Sequence, residues 1–297
     1  MKLICDSGST KSAWCLTDGT TLLYFTTQGI NPFQQSEEEI AAILHNELLP
    51  QMLNAVSKTN VSSIREREDS LLLYIKDVYF YGAGCTKEKS PIVAKAIRAT
   101  IANEARITVD SDMLGAAIAL CGNTPGIVCI LGTGSNSAYY DGKSLTNCIP
   151  ALGYILGDEG SGAYIGKRLV GDILKHQFSE KIRNMFFEET HESQASIIQK
   201  VYREPMANRY LASLSPFCAK HRDEKEIHDF IVDCFSQFFE RNIIPMTKEL
   251  NTDIRTVNCV GSIAYYYKNE ITEAANKYGF NIGKILQAPI NGLVEFH

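Results

Sequence analysis

The sequence contains no run of about 20 apolar residues, the length a membrane-spanning helix needs. Its opening, MKLICDSGS, has too short an apolar stretch before Asp6 for a secretory signal. Lysine and arginine number 29 against 34 acids, a net charge of −5. The signs are mixed along the chain, with no basic stripe for nucleic acid and no helix suited to a membrane surface. The nine cysteines are odd in number, scattered, and form no C-x-x-C pair. Several lie in apolar runs, so buried reduced thiols are expected in place of a metal site. His176, His191, His221 and His228 likewise show no pairing that suggests a metal. Together these absences lead us to expect a cytoplasmic protein with no nucleic-acid or membrane partner.

What the chain does have is size and a repeated motif. At 297 residues and 45% hydrophobic composition it can build two domains, each with a core. Gly126 to Asp141, GIVCILGTGSNSAYYD, reads as a buried strand, a glycine turn and a returning strand. Gly132 and Gly134 allow tight backbone geometry, and Thr133, Ser135 and Asn136 sit at the turn. Small polar side chains beside turn N–H groups can cradle a phosphate, although an ordinary hairpin carries the same residues. The same plan appears at the start, where Leu3 and Ile4 lead through Asp6, Ser7, Gly8, Ser9, Thr10 and Lys11 and back through Ala13 and Trp14. Residue similarity aligns Gly8 with Gly134 and Thr10 with Asn136. Two such hairpins predict a duplicated domain whose two lobes each offer an anion-binding turn.

The order DSGSTK, then GTGSN, then GDEGS at Gly157 to Ser161 resembles the acetate kinase, sugar kinase, Hsp70 and actin superfamily. More closely it is similar to N-acetylglucosamine kinases and to the activator-type ATPases related to benzoyl-CoA reductase activators. The resemblance covers nearly the whole chain. It implies an α/β chain with a duplicated ribonuclease H-like (actin-like ATPase) fold and ATP in a cleft between two lobes. The expected lobes are residues 1–108 and 109–297, the second with a helical insertion at about 164–250.

Between the motifs, Ser36 followed by Glu39 forms a capping box that opens a helix running to Pro50. Residues 62–70 are charged and read as a loop or a short helix. Val78 to Tyr81 is a strand leading into Gly82-Ala83-Gly84-Cys85, whose glycines either admit a ligand or let a strand and helix pack closely. Ala105 to Val109 is the next strand, followed by Asp110, Ser111 and Asp112 at the start of a small-residue helix. An acid there suits either an N-cap or catalysis. Asp158 and Glu159, two adjacent acids between glycines, are costly to bury and are expected to face solvent, a ligand or a metal.

The resemblance also implies roles. Asp112, ahead of Gly115, would be the general base, with Asp110 a cap or a supporting residue. Asn31, Ser135, Asn136, Gly153 and Asp158 would contact the sugar, and Asn31 is equally readable as a plain turn residue. Gly261 and Ser262 would admit the adenosine part of ATP. Ser7, Gly8, Ser9, Thr10, Lys11, Gly132, Thr133 and Gly134 would surround the phosphates, with Asp6 holding Mg²⁺ through water. Lys11 fits a solvated turn lysine as well. Where N-acetylglucosamine kinases carry a Gly-Trp pair this chain has Ala151-Leu152, which leaves the exact sugar open. The expected activity is phosphoryl transfer from ATP to an amino sugar, N-acetylglucosamine first among the candidates, by a homodimer. The alternative is a nucleotide-switch ATPase, for which Cys85 and Cys121 are the cysteines placed near loops.

Overall fold

The computed structural model describes residues 1–8, 10–58 and 71–297, so Ser9 and the charged stretch 62–70 lie outside the described residues. The chain divides into one unit of Met1–Gly122 with Pro289–His297 and a second of Asn123–Ala288. The division falls after Gly122, where the sequence suggests 108. The strand Arg106–Ser111 pairs into the first sheet, and the following helix Asp112–Cys121 packs on that sheet.

Among the described residues the strands form two five-stranded sheets. The first contains β1 (Lys2–Ser7), β2 (Lys11–Thr17), β3 (Leu22–Gln28), β4 (Asp77–Gly82) and β5 (Arg106–Ser111), in the order β3-β2-β1-β4-β5. The second contains β6 (Gly126–Leu131), β7 (Ser135–Tyr140), β8 (Leu145–Ile149), β9 (Thr256–Val260) and β10 (Asn281–Leu286), in the order β8-β7-β6-β9-β10. In each sheet the first three strands form an antiparallel meander, and the last two run parallel to the first. One topology therefore occurs twice, as the paired hairpins predict. Ser7 is the last residue of β1 paired with β2, and Leu131 the last of β6 paired with β7. Counted from these ends, Gly8 corresponds to Gly132, two positions from the alignment that residue similarity suggests.

Alternation in β1 and β2 buries Leu3, Cys5, Trp14 and Leu16 beneath helices that contribute Ile40, Leu44, Met52, Val93 and Ile97. Trp14 is fully buried and its Nε1 donates to Thr27 Oγ1 at 3.0 Å. The capping box forms as expected, with Glu39 N donating to Ser36 Oγ and Ser36 N to Glu39 Oε2. The helix does not stop at Pro50. It runs as Glu37–Ile43, widens into a π-turn at Leu44–Leu48, and continues as Leu49–Lys58. The wide turn relieves the clash between the proline ring and the carbonyl one turn earlier. The second unit repeats this device, with a π-turn at Phe239–Ile243 two residues ahead of Pro245 in the helical path from Lys225 to Leu250. That helix and Gly162–Leu174 cover the second sheet with Phe235, Phe238, Ile165 and Leu169.

Candidate active site

The parallel strands β1, β4 and β5 carry the acids of the first unit to their carboxyl ends. Asp6, Tyr81 and Asp110 are aligned in register across these strands. Residues in such a row share one face of the sheet, and two strand spacings separate the Asp6 and Asp110 Cα atoms by about 10 Å. Asp112 opens the helix Asp112–Cys121, which lies close over β4 because Gly115 has no side chain: a Cβ there would come within 2.6 Å of Tyr81 Cβ. The cap of this helix is Ser111, whose Oγ accepts from Leu114 N at 3.2 Å, so Asp110 is not the cap. Asp112 Oδ1 accepts from Met113 N at 2.9 Å.

Burial first, and then the neighbouring charge of Asp112, push the Asp6 carboxyl up to about 7 against the opposing pull of Lys11. Burial also raises Asp112, and the Met113 N–H partly offsets it. Two half-buried carboxylates that repel one another form a hard-oxygen donor pair short of positive charge, and such a pair fits a small hard dication. Among the described residues no group of three or more His, Cys, Asp or Glu side chains could hold a metal alone. A magnesium ion, which keeps several waters and phosphate oxygens, suits so sparse a protein donor set.

The hairpin turn beside Asp6 closes through Gly8 N donating to Lys11 O at 3.0 Å. Thr10 and Lys11 are exposed there. The Ser7 hydroxyl is turned inward, bonded to Ser12 Oγ at 2.7 Å and to the backbone of Ile30, so it braces the hairpin and is not offered to a phosphate. Asn31 is held in its turn by its Oδ1, which accepts from Phe33 N. Gly84, at φ +78°, makes room for it, since a Cβ there would lie 2.3 Å from Asn31 Oδ1. The glycines after β4 thus serve close packing within the protein.

In the second unit three segments meet at the end of β6. The turn Gly132-Thr133-Gly134 receives the start of the helix Gly162–Leu174, with Gly162 N donating to Gly132 O at 2.8 Å and Ala163 N to Thr133 O at 3.0 Å. The Asp158 carboxylate accepts from Ser135 N–H and lies against Gly134, where a Cβ would be 2.9 Å from Asp158 Oδ2. Gly261, at φ +120°, follows β9 so closely that a Cβ would sit 2.2 Å from Leu131 O. Ser262 is exposed at the start of the short helix after it, and Thr133 is exposed at the turn. Such a glycine-bounded shelf of backbone, which side chains would fill, fits the sugar-phosphate part of a nucleotide. Asn136 is half-buried and its Oδ1 accepts from Ser137 N, while Gly153, at φ +72°, faces open space.

Of the alternatives for Asp158 and Glu159, solvent is ruled out: both are buried, Asp158 at 8% and Glu159 at 6% exposure. Ser135 N–H compensates the first, and Arg241 and Asn242 the second. Burial still pushes the Asp158 carboxyl up to about 6, with Glu159 raising it and Lys167 lowering it. Sequence reading missed Arg241 and Asn242, which lie 82 and 83 residues from their partner and carry no motif. The cysteine expectation is met at seven of nine positions, with Cys121 half-buried and Cys148 exposed. Burial together with Asp112 and Asp110 pushes the Cys85 thiol up to about 12, the opposite of what a thiolate cluster ligand needs.

No family model matches the sequence, and no curated protein matches it. Solved structures do. A protein of Porphyromonas gingivalis, provisionally assigned as an N-acetylglucosamine kinase, is 40% identical over 100% of this chain and 98% of its own, with a TM-score of 0.88. This chain belongs to the N-acetylglucosamine kinase family. A second protein with the same provisional assignment, from Chromobacterium violaceum, is 16% identical with a TM-score of 0.69 over 99% of this chain and 98% of that one. A ROK family glucokinase from Streptomyces griseus, solved with glucose and AMPPNP, is 11% identical with a TM-score of 0.55 and the same coverage. These last two share the fold. The duplicated actin-like ATPase fold of the sugar kinases is therefore the architecture of this family member.

Proposed function

We propose that the protein is an ATP-dependent kinase that transfers the γ-phosphate to the 6-hydroxyl of N-acetylglucosamine. The observation that carries this reading is the pair Asp6 and Asp112 at the carboxyl ends of β1 and β5, within a chain 40% identical over its full length to the P. gingivalis protein. In the first unit Asp112 accepts the proton of the attacking hydroxyl. Its raised proton affinity brings a carboxylate nearer to neutrality, where a general base is effective. Asp6 is the residue that would hold hydrated Mg²⁺, which when bound neutralises charge on the transferring phosphoryl group. Thr10 and Lys11, both exposed at the turn, are the phosphate-facing groups of this unit in this reading.

In the second unit the Gly132–Gly134 turn, Thr133, Gly261 and Ser262 take the rest of the nucleotide, and Asp158 accepts from sugar hydroxyls. Ser135, Asn136, Gly153 and, in the first unit, Asn31 complete the sugar contacts in this reading. Ser135 acts through its backbone N–H on Asp158, which aims that carboxylate. Mg²⁺ and a homodimer rest on the resemblance and a cytoplasmic location on the hydropathy of the sequence; no helix among the described residues is long and apolar enough to cross a membrane.

ADP release from Mg-ATP is measured with a panel of amino sugars and hexoses beside a sugar-free control. Turnover that depends on N-acetylglucosamine, with the 6-phosphate identified by phosphorus NMR, supports the proposal. ATP hydrolysis that ignores every sugar rejects it in favour of the nucleotide switch.

A further inference from the structure

Two adjacent buried acids demand compensation, and the second of them looks away from the site. Glu159 Oε1 accepts from Arg241 Nη1 at 3.1 Å, and Oε2 from Asn242 Nδ2 at 3.4 Å. Asn242 is itself buried, with Nδ2 also directed to Phe238 O at 3.3 Å. In a regular α-helix consecutive side chains diverge by about 100°. At Phe239–Ile243 the helix widens into its π-turn, and Arg241 and Asn242 both reach one carboxylate. The same helix supports the next residue of the loop, because Gly160, at φ +73°, rests where a Cβ would be 3.0 Å from Phe238 Cβ. Asp158, at φ +58°, is thus a left-handed aspartate held between Ser135 N–H on one side and a loop seated on one helical turn on the other.

We propose that Glu159, clamped by Arg241 and Asn242, is a positioning residue that fixes the orientation of Asp158 and tunes its ionisation. The link to sugar binding rests on the reading of Asp158 given above. The link to ionisation does not. The charges around the two acids are few: Lys167 and Glu159 act on Asp158, Arg241 pairs with Glu159, and Tyr164 lies near Glu159. Neutralising Glu159 leaves Asp158 facing Lys167 and Arg241, so Asp158 holds its proton less tightly. Removing the Arg241 charge leaves Glu159 unbalanced, so Asp158 holds its proton more tightly. The Arg241 side chain is 61% exposed, which screens its effect and makes Arg241→Gln a substitution the fold tolerates.

The test is a carbon-13 NMR titration of the Asp158 carboxyl, assigned with Asp158→Asn, in the wild type, Glu159→Gln, Arg241→Gln and the double variant. The expected midpoints move down in Glu159→Gln and up in Arg241→Gln, each by about half a pH unit, roughly threefold in proton affinity, and return towards the wild type in the double variant. The acid limb of the sugar KM follows the same directions while the ATP KM stays constant. Midpoints that do not move, or that move the same way in both single variants as a general loosening would make them, overturn the inference. Opposite shifts in a protein that phosphorylates no sugar support the inference and reject the kinase reading instead.

Discussion

Replacing Asp6 by Asn should make the nucleotide-free protein more stable while abolishing turnover. The carboxyl of Asp6 is raised from 3.8 to about 7. A shift of about 3 units at ~1.4 kcal/mol each gives about 4 kcal/mol as the cost of ionising it in the folded chain. Because Asp6 is not fully sealed from solvent, about 2–4 kcal/mol is expected. The folded state binds this proton more tightly than the unfolded chain, so the stability is present near pH 4 and is lost as pH rises through about 7. Asp6→Asn recovers it at pH 8 and gains almost nothing at pH 4. The assay is urea unfolding in EDTA, followed by tryptophan fluorescence. Trp14 is the sole tryptophan of the chain and is fully buried in the first unit, opposite Cys5 in the register of β1 and β2, so the signal reports that unit alone. With a slope of about 2 kcal/mol per molar urea, the midpoint at pH 8 should rise by about 1–2 M. An equal gain at both pH values, or none at either, would refute the argument that Asp112 and burial load Asp6. Added magnesium should stabilise the wild type at pH 8 and leave the variant nearly unchanged.

Asp112→Asn should lower kcat by about 10²- to 10⁴-fold with nucleotide affinity preserved, measured by steady-state kinetics and calorimetric titration of an ATP analogue. Sugar kcat/KM should fall below about pH 6, as the Asp158 carboxyl takes up its proton and ceases to accept hydrogen bonds, with Asp158→Asn removing that limb. Gly261→Ala forces a Cβ to 2.2 Å from Leu131 O at φ +120°, so thermal unfolding should show a loss of about 1–3 kcal/mol and the ATP KM should rise.

The parts of the fold that were legible are those decided by neighbours in sequence. The two hairpins, the Ser36–Glu39 cap and the strand into Gly82 rest on turn chemistry and periodicity within about ten residues, and each forms as expected. Strand β10 was not legible because its burial follows no two-residue alternation, with Asn281, Gly283 and Lys284 all exposed. The run through Pro50 was hidden because a proline signals a break, and only the wide turn before it lets the helix continue. Within the candidate site, the placement of Asp6 at the end of β1 and of Asp112 at the start of a helix was legible from local patterns. The burial of Asp158 and Glu159 was not, since their compensation comes from the backbone N–H of Ser135 in β7 and from two residues of the helical insertion. The inward turn of the Ser7 hydroxyl was hidden for a related reason: its partners lie at Ser12 and Ile30, which only the three-stranded meander brings to it.

The return of Pro289–His297 to the first unit bears on how the protein comes off the ribosome. The helix Ile290–Phe296 packs on Asp112–Cys121, with Gly292 set where a Cβ would be 2.6 Å from Ala119 O. Every residue of the second unit is synthesised before that helix is, although the first unit was begun earlier. The second unit can therefore complete its core during translation, while the helix bearing Asp112 waits with one side uncovered until Pro289–His297 emerges. A nascent chain stalled before residue 289 should bind chaperones through that exposed face, and the first unit should become competent only once residues 289–297 have emerged.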